Sequence, residues 1–152
     1  MVSIINHTSW VLNETNLKAE IKRMLTALST DFKESVDEVR FAFVTKEEIS
    51  EMHKTFLQDE EPTDILTFPD NSNNKIGGDI AICLDVVYEN AMEDEEPMSM
   101  FTADVILHGL LHLFGVTHDY TNESLEQIYT MQNNILEQIQ PQWSAFDVKK
   151  SV

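Results

Sequence analysis

Basic residues are scarce in this chain: ten Lys and Arg stand against twenty-seven Asp and Glu, a formal net charge of −17. Such a surface repels nucleic acid at long range, so no DNA partner is expected. An RNA partner needs a local attractive site, which a bound cation can supply. Cysteine is almost absent as well. The single Cys83 has no partner for an internal disulfide, so a reducing, cytoplasmic setting is the default. No apolar run approaches the roughly 18 residues of a membrane-crossing helix, and no membrane partner is expected. The opening MVSIINH lacks a basic stretch followed by a long apolar one, so no secretory signal is expected. Gly and Pro number four each and fall at element boundaries, not in linkers or low-complexity tracts.

What is present suits one folded unit. A length of 152 residues and a hydrophobic content of 42% are enough for a single domain, 1–152, with one core, and they exclude intrinsic disorder. VSII at 2–5 reads as a strand, and Leu17, Ile21, Met24, Leu25 and Leu28 recur at the spacing of an amphipathic helix. VRFAFV at 39–44 reads as a second strand. Thr45 and Glu48 then stand three apart, as in a capping box, which predicts a helix over 46–58. Two further strands are expected at 62–69 and 77–84, joined by the turn-forming DNSNN at 70–74. A short helix over 88–93 fades into the acidic 93–96 and stops at Pro97. Ser99 is the expected N-cap of a helix that ends near Phe114. The last helix carries Leu125, Ile128, Ile135, Leu136 and Ile139 on one face. Strands and helices interleave without a strict βαβ rhythm, so the fold class is α+β: a small mixed sheet packed with several helices.

The segment HGLLHLFGVTH at 108–118 carries the chemistry. Residues four apart on a helix differ by about 40° in angle and about 6 Å in height, so His108 and His112 can aim two imidazoles at one point. Gly115 can end the helix in the left-handed conformation and turn the chain back, presenting His118 as a third ligand. Three nitrogens and an open position are the arrangement of a catalytic zinc site, so one Zn2+ per chain is expected. A single histidine on an apolar helix is usually a core residue, but three of the five histidines fall within 108–118. The other two, His7 and His53, have no such company and read as surface residues. The helix is apolar nearly all round, which predicts a central, buried element. Gly109 inside it costs about 1 kcal/mol relative to Ala. Either something approaches the backbone there, or the glycine permits tight helix packing.

Metzincin proteases share the spacing of the three histidines and one glycine. They carry a general-base Glu directly after the first His, where this chain has Gly109, and that argues against a peptidase. The same segment resembles HGxLHLxGxDH, the signature of the YbeY-type rRNA maturation factors. Two further motifs are similar, in the same order: PTDILTF at 62–68 to the family's PTDVLSF, and GDIAIC at 78–83 to its GDIVI. The resemblance implies zinc on His108, His112 and His118. It also implies a single-strand-specific endoribonuclease that acts in ribosomal RNA maturation and quality control and meets the small ribosomal subunit.

Two positions depart from the family. Thr117 stands where Asp usually precedes the third His, although Asp119 follows it. Leu57 stands where the family has a basic residue, usually Arg, suited to hold a phosphate. Lys54, one helical turn back, is the nearest substitute. Leu57 favours an alternative, a non-enzymatic ribosome assembly factor stabilised by its metal. Asp79 and Asp104 are candidates to orient an imidazole through its second nitrogen, a solvated or capping role being the alternative for Asp104. No general acid or base is assigned.

Overall fold

The computed structural model describes residues 1–57, 63–117 and 121–150. The chain opens with strands β1 (Val2–Asn6) and β2 (Trp10–Leu12), helix α1 (Glu14–Phe32) and strand β3 (Val36–Phe43). Helix α2 (Lys46–Leu57) and strands β4 (Ile65–Pro69) and β5 (Ile76–Ile82) follow. Helices α3 (Leu84–Glu93), α4 (Met98–Leu113) and α5 (Asn122–Ile139) come next. A 3-10 turn (Trp143–Phe146) and β6 (Val148–Lys150) close the described chain. β1, β3 and β5 run parallel and β4 is antiparallel to β5, in the order β1-β3-β5-β4. β2 and β6 pair separately and antiparallel. This mixed sheet with its helices is the α+β class expected from the sequence.

Local chemistry explains most of the boundaries. On α1 the predicted stripe of Leu17, Ile21, Met24, Leu25 and Leu28 is buried, and the Asn13 side chain accepts from the Asn16 N–H at its start. Full burial of such side chains is worth about 1.5–3 kcal/mol each. The capping box at α2 forms as expected: Glu48 N–H donates to Thr45 Oγ1 at 3.1 Å, and Thr45 N–H donates back to Glu48 Oε1 at 3.1 Å. In the 70–74 turn the Asp70 carboxylate accepts from the Ser72 N–H, and Asn74 adopts a φ of 57°.

Several elements differ from expectation: β3 begins at Val36 and not at 39, β5 ends at Ile82 and not at 84, and the β2–β6 pair was not expected; two helix starts differ as well. α3 starts at Leu84, four residues earlier than predicted, because Leu84, Val87 and Ala91 form its buried face. The apolar run leading into it does not reveal where the period changes from strand to helix. Pro97, not Ser99, caps α4. Pro97 is extended, and its carbonyl accepts from Met100 and Phe101, so Ser99 already lies within the first turn.

Both sheet faces are covered. Val39, Phe41, Phe43, Ile80 and Ile82 pack with α1 and α4 in the larger core. On the opposite face Val44, Ile49, Leu66, Ala81 and Cys83 form a smaller one. Cys83 is fully buried and its thiol is pushed up by desolvation, so it is a packing residue, not a nucleophile.

Candidate metal centre and its cleft

From Thr102 to Leu113, α4 is buried at every position except Asp104, His108 and His112. These three stand four residues apart, so they form one partly open stripe on an otherwise enclosed helix. Nε2 of His112 lies 2.9 Å from Nε2 of His108, with the rings nearly perpendicular at 79°. The other nitrogen of His108, Nδ1, is 3.1 Å from Oε1 of Gln132 on α5. Which ring nitrogen donates in each contact depends on the tautomer of the imidazoles.

Two convergent imidazole nitrogens suit one divalent cation. Ligand nitrogens about 2.0–2.1 Å from a tetrahedral metal stand roughly 3.3 Å apart, so the pair at 2.9 Å would have to open by about 0.4 Å to hold one. Among the described residues no group of three or more His, Cys, Asp or Glu could hold a metal. The structure therefore brings together two of the expected ligands. The third, His118, lies outside the described residues, as does Asp119.

The end of α4 is shaped as the sequence suggested. Gly115 has a φ of +91°; its N–H donates to the His112 carbonyl, and the Val116 N–H donates to the Leu111 carbonyl, each at 3.0 Å. That paired closure ends the helix immediately after the ligand stripe. For Gly109 the packing reading holds. A Cβ there would lie 2.7 Å from Ile65 Cδ1 and 3.2 Å from Ile80 Cγ2, so the glycine lets α4 sit tightly on β4 and β5.

Asp104 and His108 of this stripe line a cleft of about 360 Å3, together with Asp64, Ile65, Phe101, Tyr129 and Gln132, among others. Glu93 and Asp94 also line it, and none of the described lining residues is Lys or Arg. Burial pushes the Asp104 carboxyl up to about 6, and it raises that of Asp64 as well. The cleft is anionic, so it attracts cations and repels bare phosphate.

Asp79 does not support an imidazole. It is exposed on β5 and forms a two-pronged ion pair with Arg40, at 2.8 and 3.0 Å. Period-two alternation places it on the sheet face opposite Ile80, away from α4. His7 is half-exposed, with Nδ1 3.1 Å from Glu48 Oε2, and His53 is half-buried on α2. Sequence reasoning missed Gln132, although a signal was present. Position 132 is four residues after Ile128 and three before Ile135, on the buried stripe of α5, where a polar side chain needs a partner.

Residues 3–140 match the family described as Endoribonuclease YbeY. The chain belongs to this family. Among its relatives, the Endoribonuclease YbeY of Thermotoga neapolitana is 30% identical over 135 residues, covering 88% of this chain and 89% of that protein. That of Coxiella burnetii is 31% identical over 129 residues, covering 82% and 83%. The solution structure of a Thermotoga maritima protein superposes with a TM-score of 0.65 at 26% identity, covering 95% of this chain and 93% of the other. Against the family pattern, Thr117 is exposed and Leu57 is the last residue of α2. No helix among the described residues is long and apolar enough to cross a membrane.

Proposed function

We propose that this chain is a zinc-dependent endoribonuclease that cleaves single-stranded RNA in the maturation and quality control of ribosomal RNA. It would work in the cytoplasm, at the small ribosomal subunit. His108, His112 and His118 would hold one zinc per chain. The observation that carries the reading is the open stripe on α4, where two imidazole nitrogens converge beside a cleft. Family membership supplies the reaction class.

A bound divalent metal supplies Lewis-acid polarisation of a phosphodiester and lowers the pKa of water. The protein's own groups do the rest. Gln132 and the helical spacing orient the imidazoles. Tyr129, more than half exposed, offers a ring on which an unpaired base can stack. Asp104, whose carboxyl is pushed up by burial in the metal-free protein, is the cleft's candidate to accept a proton. The carboxylates around it repel RNA until a cation is in place, which makes RNA binding depend on the metal.

The test is cleavage of single-stranded RNA by purified, zinc-loaded protein, beside duplex RNA and a His112→Ala control. Fragments from the single strand alone, lost in the control, are expected. Leu57 and the absence of Lys and Arg from the described cleft lining favour a second reading, a non-enzymatic ribosome assembly factor with a structural metal. Zinc-loaded protein that binds ribosomal RNA or subunits but cleaves neither would select that reading.

A further inference from the structure

We infer that Gln132 is a positioning residue, whose side-chain carbonyl locks His108 in the tautomer that leaves Nε2 unprotonated toward His112. Gln132 is only 3% exposed and sits on the apolar face of α5 between Ile128 and Ile135. Its Oε1 lies 3.1 Å from His108 Nδ1, bridging 24 residues of sequence and two helices. A neutral imidazole carries one N–H, and the one on Nδ1 is used in this bond. Nε2 therefore keeps its lone pair, 2.9 Å from Nε2 of His112. In the opposite tautomer an N–H would point into the shared site and block a metal. Apolar residues at 132 would bury α5 equally well, so the amide serves the histidine and not the packing. This inference rests on the proposed role of His108 as a metal ligand, and it makes α5 part of the centre.

The decisive measurement is the tautomer of His108 in metal-free protein labelled with 15N-histidine, above the range in which histidine titrates. Wild type should carry the proton on Nδ1. Gln132→Leu should shift His108 toward the other tautomer, whereas Gln132→Glu, whose carboxylate also accepts, should preserve the wild-type state. In parallel, Gln132→Leu should weaken zinc affinity by about 10- to 100-fold in a chelator competition, and Gln132→Glu should restore most of it. A proton on Nε2 in wild type overturns the inference, as does a Leu variant with unchanged tautomer and zinc affinity. The wild-type spectrum decides the matter even if the Leu variant fails to fold. If wild type takes up no zinc, the metal reading fails separately, and the tautomer still decides the role of Gln132.

Discussion

The Nε2 atoms of His108 and His112 meet 2.9 Å apart across one turn of α4. Two bare lone pairs at that distance repel, so the pair must share a proton or a cation. The purified protein should carry about one zinc per chain, and His112→Ala should leave most of it metal-free, since two ligands rarely hold zinc tightly. Elemental analysis measures this directly, and full occupancy in the variant would mean the ligands were wrongly chosen. Zinc affinity should also fall as pH drops below about 6, because protonated imidazole has no lone pair to give.

Asp104 should make stability depend on pH. Its carboxyl is raised from 3.8 to about 6, so the folded state binds a proton that the unfolded state has lost in that window. Stability from this group is therefore complete below about 4 and is lost as pH rises through 6. Asp104→Asn should stabilise metal-free protein by about 1 kcal/mol at pH 7.5, a value reduced for solvent access, and by nothing at pH 4. Melts of both proteins that run parallel across this range would refute the burial account.

Gly109→Ala should destabilise the fold despite the better helix former. Alanine gains about 1 kcal/mol of propensity and the Cδ1 end of Ile65 can swing aside, but Ile80 is fully buried, and overpacking against it costs about 1–3 kcal/mol. Ile80→Val in the same protein should recover part of the loss, because it removes the Cδ1 atom 3.3 Å from the added methyl. A double-mutant cycle by denaturant unfolding with no coupling between the two sites would exclude this packing.

Leu57→Arg should strengthen RNA binding. A charge-assisted contact to phosphate is worth about 1.5–3 kcal/mol, roughly a tenfold to hundredfold gain in affinity. The gain should shrink as salt rises, and Leu57→Met, which adds no charge, should change little. A thermal melt checks that Arg is tolerated at the end of α2. A normally folded Arg variant with unchanged RNA affinity and cleavage would show that a charge at position 57 does not anchor phosphate.

The sequence by itself determined the periodic and punctuated features. The apolar stripe of α1, the Thr45–Glu48 box and the stop at Gly115 are local, set by spacing and by the backbone freedom of single residues. The four-residue repeat of Asp104, His108 and His112 was likewise legible, because a helix converts spacing into a shared face. Tertiary structure decided what lies opposite that face. Gln132 reaches His108 only because α5 packs against α4, and Ile65 and Ile80 explain Gly109 only once the sheet is under the helix. Asp79 and Asp104 looked alike as carboxylates near a motif. One meets Arg40 in solvent and the other is desolvated in the cleft, a difference made by burial and not by sequence distance.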